Sequence, residues 1–252
     1  MPCAGHPEVS PAARRPLQQM TLERAEGTLE LLDRPVALAD RVASLADIDR
    51  LNAWFGGYAL TLREVRRVAA SMDAGDALVA VDVGGGHGAF AVRLVEWARA
   101  ARRLVRVLVV DRDAESLAVA RRACADYPEI RLVLADAAAL PVREGVADVV
   151  TSALTLHHLE PDGAVASLRE MAAAARRAVI VNDLLRTRLA FGLVWLATRL
   201  LRCHPISRHD GPLSVRRAYS AAELTTLAQK AGITTLTVRA YPLYGRLVAV
   251  AA

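Results

Sequence analysis

The chain has little cysteine, and its three cysteines lie far apart. Cys3, Cys124 and Cys203 share no short spacing, so the sequence encodes neither a zinc-binding cysteine pair nor a disulfide framework. This usage fits a reducing compartment, and we expect a cytoplasmic protein. Residues 1–19 contain four prolines but no apolar signal segment, which predicts a disordered tail over residues 1–20.

Lysine is almost absent as well. Lys230 is the only lysine among 32 basic residues. The formal net charge of +5 is a feature of many nucleic-acid-binding proteins. The arginines, however, stand beside acids on predicted helices, as at Arg63, Glu64 and Arg66, and do not alternate with aromatic residues. This pattern is typical of a solvated surface, so we expect no nucleic-acid partner.

With 252 residues and a hydrophobic content of 54%, the chain is long enough for one α/β domain and a modest cap. Helical patterns over residues 22–32, 36–52 and 60–72 predict a helical cap that spans residues 21–74. The remaining residues, 75–252, form the main predicted domain.

In the main domain, strand-like apolar runs alternate with helical patterns, which predicts parallel strands with right-handed crossovers. The last two strands are joined by a turn too short for a crossover, so they must run antiparallel. The fold class is therefore α/β, with a Rossmann-like, mostly parallel seven-stranded sheet and a C-terminal antiparallel hairpin. The predicted strands cover residues 78–83, 104–110, 130–135, 147–152, 177–182, 233–240 and 244–250, and the helices between them cover 88–102, 113–125 and 161–175.

A glycine-rich loop follows the first strand and predicts a nucleotide-type cofactor. Glycines at 84, 86 and 88 permit a sharp turn and close approach of a ligand to the backbone. The spacing also fits a dinucleotide fingerprint, but Asp82 precedes the loop and would repel a pyrophosphate at short range. A cationic cofactor without phosphate, such as S-adenosylmethionine, avoids this repulsion.

The string Asp82-x-Gly84-x-Gly86-x-Gly88 resembles the first motif of class I S-adenosylmethionine-dependent methyltransferases, and the resemblance extends from about Leu78 to Val250. The C-terminal hairpin agrees with it, since a dinucleotide-binding domain ends with another crossover. The resemblance implies S-adenosylmethionine as cofactor. The cofactor-binding residues that we predict are Asp82, Gly84, Gly85, Gly86, Gly88, Asp111, Arg112, Asp136, Ala137 and Ser152.

Two of these acids end successive strands, where ligands bind in open α/β sheets. We predict that Asp111 binds the ribose hydroxyls; the alternative is a cap for the following helix, although Asp113 is already a plausible N-cap. Asp136 resembles the family acid that accepts from the adenine amino group, with Ala137 N–H beside it. The alternative for Asp136 is an acid in a surface turn.

Methyl transfer needs a base only when the acceptor holds its proton, as a phenol does. His157 and His158 follow the fourth strand, and we predict His157 as the base; alternatively both rings are half buried at a helix start. His209 with Asp210 is a second candidate for acid–base or hydroxyl-binding work, or a surface turn.

Asn182 and Asp183, which follow the fifth strand, are candidate ligands for a metal ion. Catechol-type methyltransferases hold magnesium there with a further aspartate after the fourth strand, where this chain has Thr151 and Ser152. Two oxygen ligands on one loop are few for magnesium, so we expect no metal.

Residues 184–219 lie where methyltransferases insert substrate-recognition elements. Within a helical run over 186–202, residues 189–201 are apolar on most faces. This apolar part is too short to span a bilayer and predicts a lid, or alternatively a membrane-surface helix. An irregular stretch over 204–219 follows it, and a capping box at Ser220 opens the next helix. We predict acceptor contacts from Trp54, His158, Trp195 and Asp210.

Two phrases, at residues 51–57 and 208–214, are similar to small bacterial methyltransferases associated with type III polyketide synthases. That resemblance implies an apolar, aromatic, hydroxylated acceptor of phenolic or quinone-like type, and methylation on oxygen. The alternatives are RNA methylation at ribose or a ring nitrogen, and a non-catalytic cofactor-binding subunit. We expect a small-molecule acceptor, no stable membrane insertion and possible homodimerisation.

Overall fold

The computed structural model describes residues 21–73 and 75–252, so the tail predicted over residues 1–20 lies outside the described residues. The helices are α1 (Leu38–Trp54), α2 (Gly57–Ala70), α3 (Ala89–Ala100), α4 (Ala114–Ala123), α5 (Pro161–Ala174), α6 (Arg188–Leu200), α7 (Pro205–Arg217) and α8 (Ala221–Lys230). The strands are β1 (Leu78–Val83), β2 (Val105–Asp111), β3 (Ile130–Leu134), β4 (Ala147–Ala153), β5 (Ala175–Leu184), β6 (Thr237–Tyr241) and β7 (Arg246–Ala251). Short 3₁₀ turns cover Leu31–Asp33, Leu156–His158 and Pro242–Tyr244.

The seven strands form one sheet in the order β3-β2-β1-β4-β5-β7-β6. Strands β1 to β5 are parallel, and β7 is antiparallel to both β5 and β6. The predicted fold class, including the C-terminal antiparallel hairpin, is confirmed. The strand order reverses between β1 and β4, and in such sheets ligands bind beyond the carboxyl ends of the strands at this reversal.

Both faces of the sheet are covered, which explains why its strands read as nearly continuous apolar runs. On one face, Val81 and Val83 of β1 pack in a cluster with Leu168 of α5 and Leu224 of α8. On the other face, Leu78 and Ala80 pack in a cluster with residues of α2, α3 and α4, such as Val65, Leu94 and Leu117. Helix α2 of the predicted cap is therefore part of the main core.

The N-terminal helix predicted over residues 22–32 is wrong. This segment is irregular up to the 3₁₀ turn Leu31–Asp33, and Gly27 has a φ of 64°, which breaks a helix. Its backbone bonds to other elements instead: Leu22 N–H donates to the Arg186 carbonyl and Ala25 N–H to the Arg216 carbonyl. We call residues 21–33 the N-terminal strap.

The irregular stretch predicted over residues 204–219 is also wrong, because most of it forms α7. Pro212 lies inside this helix, a position that costs a backbone hydrogen bond. Packing against α6 compensates: a β-carbon at Gly211 would lie 3.0 Å from Cγ1 of Val194 and 3.3 Å from Cγ2 of Thr198. Glycine therefore lets the two helices approach closely. None of the described helices is long and apolar enough to cross a membrane.

Candidate active site

The glycine loop lies between β1 and α3, at the carboxyl end of the sheet. Gly84 and Gly86 have φ values of 70° and 55°, which favour glycine. A β-carbon at Gly84 would lie 2.2 Å from Oγ1 of Thr155, whereas one at Gly86 would have no neighbour within 4 Å. The loop is therefore packed against Thr155 at Gly84. It is open at Gly86, where a ligand can lie against the backbone.

Asp82, at the base of the loop, has a buried carboxyl group with few hydrogen-bond donors around it. It is 3% exposed and accepts a hydrogen bond of 2.8 Å from Oγ1 of Thr151. Burial raises the pKa of Asp82 to about 7, and the charge of Asp111 adds to this effect, against the opposing Thr151 bond. A buried carboxyl of this kind favours a cationic ligand.

Asp111, at the end of β2, holds the glycine loop in place. Its carboxylate accepts the N–H of Gly86 at 2.7 Å and the N–H of Asp113 at 2.8 Å. The cap of α4 is Asp113, whose side chain accepts from the N–H groups of Glu115 and Ser116. Asp111 therefore does not cap that helix, and burial raises its pKa despite its two backbone donors.

An open cavity of about 770 Å³, which we call the outer cleft, lies beside the loop at the ends of β1, β2 and β3. The Asp136 carboxylate at its rim accepts the N–H of Ala138 at 2.8 Å, so this acid also closes a turn. Five predicted cofactor residues line the outer cleft: Gly84, Asp111, Arg112, Asp136 and Ala137.

Two predicted cofactor residues do not face a cavity. A β-carbon at Gly88 would lie 2.7 Å from Sγ of Cys124, so this glycine serves helix packing. Ser152 is 1% exposed and its Oγ is buried without a hydrogen-bond partner among the described residues. Neither residue lines the outer cleft or the cavity on the other side of the loop.

A second cavity of about 250 Å³, the inner cavity, lies on the other side of the glycine loop. Its wall includes Asp82, Gly85 and Gly86, and it shares Leu32, Gly84, Leu154 and His158 with the outer cleft. Most other lining side chains are apolar or aromatic, and they include Leu45, Ile48, Leu51, Phe55, Tyr58, Phe90, Leu184, Leu193, Val194 and Tyr244. The two cavities therefore meet at the loop.

His157 lies in the wall of the inner cavity and is bonded to Asp183. Nδ1 of His157 is 2.7 Å from Oδ1 of Asp183. The same carboxylate also accepts a hydrogen bond of 3.1 Å from the backbone N–H of His157. Burial acts to raise the pKa of Asp183, but the adjacent His157 holds it below its usual range. An ionised Asp183 fixes the proton on Nδ1 and leaves Nε2 free to accept one. The ring is 2% exposed rather than half buried.

His158, a predicted acceptor contact, stands at the junction of the two cavities. Its Nδ1 is 3.1 Å from Oδ1 of Asp33 in the N-terminal strap. Burial acts to lower the pKa of His158, but the charges of Glu30 and Asp33 outweigh it and raise the pKa above its usual value.

Asn182 and Asp183, the candidate magnesium ligands, both bond to other residues, although Oδ1 of Asn182 has no partner among the described residues. The side-chain nitrogen of Asn182 donates to the Gly57 carbonyl at 2.7 Å and to Oγ1 of Thr61 at 2.9 Å. Asp183 is bonded to His157. These contacts use Asn182 to attach α2 to the sheet.

The remaining predicted residues are not brought to the site. The Asp210 carboxylate accepts the N–H groups of Leu31 and Leu32, both at 2.9 Å, so it caps the turn of the strap. His209 is exposed and bonds to Asp210. Trp54 is 62% and Trp195 44% exposed, and none of these four residues lines a cavity. The predicted lid instead contributes Leu193, Val194, Gly211 and Ser214.

Sequence reasoning missed a buried arginine in the inner cavity. Nη2 of Arg246 donates to Oδ1 of Asn52 at 2.5 Å, while its Nε and Nη1 are buried without partners among the described residues. Burial lowers the pKa of Arg246 to about 10, so its guanidinium remains charged at neutral pH. Arg246 follows Gly245 at the start of β7, and no local sequence signal marks it.

Arg217 is a second buried arginine, and it attaches the strap to the active site. Its Nε donates to the His157 carbonyl and its Nη2 to the His158 carbonyl, both at 3.0 Å. Its Nη1 donates to the carbonyl of Thr28 in the strap. Glu30 and Asp33 are thereby held against the two histidines, although they are more than 120 residues away in sequence.

The geometry agrees with sequence comparison. Residues 80–178 match the family described as "Methyltransferase domain", and this range contains the glycine loop, Asp111, Asp136 and both histidines. Over this segment the chain is similar to class I S-adenosylmethionine-dependent methyltransferase domains. This similarity implies S-adenosylmethionine as the cofactor. Among curated proteins, none matches the sequence significantly.

Solved structures share the fold of this methyltransferase domain at low sequence identity. An S-adenosylmethionine-dependent methyltransferase from Aquifex aeolicus aligns with 17% identity and a TM-score of 0.52, over 74% of this chain and 88% of that one. The CurJ carbon methyltransferase aligns with 16% identity and a TM-score of 0.56, over 77% and 53%. The citrinin polyketide synthase CMeT domain aligns with 13% identity and a TM-score of 0.55, over 71% and 47%. The chain thus spans about half the length of the last two structures.

Proposed function

We propose that the protein transfers a methyl group from S-adenosylmethionine to a hydroxyl oxygen of a small, apolar, aromatic acceptor. The observation that carries this proposal is the meeting of the outer cleft and the inner cavity at Gly84, Leu154 and His158. Acids at strand ends line the outer cleft, and mostly apolar side chains line the inner cavity. A polar cofactor and an apolar acceptor can therefore meet at the glycine loop.

The residues around the loop fit this cofactor. S-adenosylmethionine supplies an electrophilic methyl carbon on a cationic sulfur. The open side of Gly86 leaves room for a ligand against the backbone, and Asp82 would favour its positive charge. Asp111 and Asp136 offer carboxylate acceptors for hydroxyl and amino groups in the outer cleft.

The inner cavity fits an aromatic acceptor with an acidic oxygen. Phe55, Tyr58 and Phe90 line it, and aromatic side chains of this kind pack well against a planar ring. The unpaired nitrogens of Arg246 suit a phenolic or other acidic oxygen, because a buried cation without a partner is unfavourable.

His157 is the group placed to take the acceptor proton. A phenol has a pKa of about 10 and reacts poorly while it is protonated. The hydrogen bond from His157 to Asp183 orients the ring and leaves Nε2 able to accept a proton. His157 also lines the inner cavity, as a general base for a bound acceptor must.

Carbon methylation is a second candidate function. One structure of similar fold is a domain of the citrinin polyketide synthase, and another is described as a carbon methyltransferase. The His157–Asp183 pair can also take a proton from an acidic carbon beside a carbonyl group. A polyketide-type acceptor is common to both candidates.

Labelled S-adenosylmethionine incubated with a panel of alkylphenols, quinols and β-ketoacyl thioesters, and separately with total RNA, tests the proposal. We expect label on a phenol or quinol oxygen, and slower labelling by His157→Gln. Label on RNA would instead support the RNA alternative, and label on the thioesters would support carbon methylation. Cofactor binding without transfer to any acceptor would leave the non-catalytic subunit as the better interpretation.

A further inference from the structure

Three side chains with metal-ligating atoms converge in the wall of the inner cavity. The ligand atoms of Glu30, His157 and His158 lie within 4.8 Å of one another. Nε2 of His157 is 3.6 Å from Oε1 of Glu30, and Nε2 of His158 is 3.9 Å from Oε2 of the same carboxylate. In residues 21–73 and 75–252, no other cluster of this kind is found.

The hydrogen bonds of the two imidazoles define which nitrogen is available. Nδ1 of His157 is bonded to Asp183 at 2.7 Å, and Nδ1 of His158 is 3.1 Å from Asp33. Carboxylates accept, so each Nδ1 carries a proton, and the neutral form of each ring has its lone pair on Nε2. Carboxylate–histidine pairs of this type orient the imidazole ligands of metal sites.

Glu30 provides an independent observation. Its carboxylate is 4% exposed and accepts a hydrogen bond of 2.8 Å from Oγ of Ser214. Among the described residues, its ion-pair contacts are to the two histidines and not to any arginine or lysine. Buried carboxylates are normally paired with a cation or bound to a metal, and a bound metal ion would meet this requirement for Glu30 without a proton on either Nε2.

We propose that Glu30, His157 and His158 bind a divalent transition-metal ion, with an open coordination position toward the inner cavity. A tetrahedral ion with bonds of about 2.0–2.1 Å separates its ligand atoms by about 3.4 Å. The three ligand atoms lie within 4.8 Å of one another, so an ion would draw them together by up to about 1.4 Å. Two imidazoles and one carboxylate suit Zn²⁺ or Fe²⁺, whereas Mg²⁺ prefers oxygen ligands.

The backbone around the three ligands is already fixed. Glu30 precedes the 3₁₀ turn Leu31–Asp33, so one turn supplies both a ligand and the carboxylate that orients His158. Asp210 caps this turn, and Arg217 holds the carbonyls of both histidines. The site therefore needs little rearrangement to accept an ion.

The role of the ion, though not its binding, rests on the proposed function. All three ligands line the inner cavity, so an acceptor hydroxyl can occupy the open position. Its oxygen would bind the ion and release its proton to solvent, because a divalent ion stabilises the resulting oxyanion. The ion would then occupy the lone pair with which His157 otherwise takes the proton.

Cobalt provides a spectroscopic test with the full-length protein. After treatment with a chelator, titration with Co²⁺ should give one ion per chain with visible absorption bands of a four- or five-coordinate site, and Zn²⁺ should displace it. Glu30→Gln and His158→Gln should abolish the bands. Asp33→Asn should weaken Zn²⁺ affinity by about 10–100-fold. His209→Gln is the matched control, because this exposed histidine also bonds to an aspartate, and it should bind as the wild type.

Calorimetry with S-adenosylmethionine checks that each variant is folded. Three results would overturn the metal site. They are Co²⁺ binding without the absorption bands, binding of less than one ion per chain, and unchanged Co²⁺ binding by Glu30→Gln. Methyl transfer by the metal-free protein at the full rate would also remove its catalytic role. Those results leave the proposed function intact, whereas a protein that binds Co²⁺ as expected but methylates no acceptor contradicts the proposed function alone.

Discussion

Asp111 accepts a hydrogen bond of 2.7 Å from the backbone N–H of Gly86, which lies 25 residues earlier in the chain. The bond connects the end of β2 to the glycine loop after β1. Asp111 therefore has two expected effects on cofactor binding: it fixes the loop, and it offers its carboxylate to the outer cleft.

Asp111→Ala should weaken binding of S-adenosylmethionine by about 1–3 kcal/mol, the range for loss of a hydrogen bond to a charged group. Isothermal titration calorimetry measures this loss directly. Asp126→Ala, at an exposed position before β3, is the control and should bind as the wild type. An unchanged affinity in Asp111→Ala would show that this carboxylate does not support the cofactor.

Asp82 should make the stability of the cofactor-free protein depend on pH. Its pKa of about 7 lies above its ordinary value, because burial disfavours the charged form. Its contribution to stability is therefore fully present below the ordinary pKa and is lost as the pH rises through 7. Between pH 5 and 8, urea denaturation should show a loss on the order of 2 kcal/mol, and Asp82→Asn should reduce it.

The same carboxyl should make cofactor affinity increase with pH. A cation near Asp82 favours its ionised form, so binding below pH 7 should release a proton. Calorimetry in two buffers of different ionisation enthalpy measures this proton release. An affinity that is constant from pH 5 to 8, with no proton released, would contradict contact between Asp82 and a cationic ligand.

The His157–Asp183 pair should affect turnover more than cofactor binding. We expect His157→Gln to lower kcat by about 10²–10⁴-fold, the usual contribution of a general base. Asp183→Asn should lower kcat less, because it changes the orientation and basicity of the ring but keeps it in place. His209→Ala should leave kcat unchanged, since His209 lines neither cavity. Normal turnover in His157→Gln would remove this histidine as the base.

Arg246 should determine which acceptors bind. Arg246→Met removes the charge but keeps much of the apolar stem, so we expect KM to increase about tenfold or more for phenolic acceptors. The KM for S-adenosylmethionine should change much less. Steady-state kinetics with a phenol and its less acidic alcohol analogue separates these effects. An equal change in KM for both acceptors would indicate a structural role for Arg246.

The sheet and the cofactor loop could be predicted from the sequence because their signals are local. Buried parallel strands appear as apolar runs, and the acids of the outer cleft come directly after such runs, as at Asp111 and Asp136. The antiparallel direction of the C-terminal hairpin followed from the length of its turn. In these cases the short-range pattern and the tertiary structure agree.

The inner cavity could not be predicted in the same way. Glu30 reaches the histidines because Arg217 and Asp210 hold the strap in place, and no periodicity reveals such contacts between distant residues. In α7, Gly211 and Pro212 are typical of a turn, yet close packing on α6 keeps the segment helical. Trp195 was predicted to contact the acceptor as part of an apolar lid, but Leu193 and Val194 of the same helix line the cavity instead.

Leu32, at the centre of the 3₁₀ turn in the N-terminal strap, borders both the outer cleft and the inner cavity. A ligand in either cavity therefore contacts Leu32 and restricts the motion of a wall that the two cavities share. Cofactor and acceptor should consequently strengthen each other's binding by the same factor, as thermodynamic reciprocity requires. Titration of each ligand in the presence of a saturating, unreactive analogue of the other measures this cooperativity.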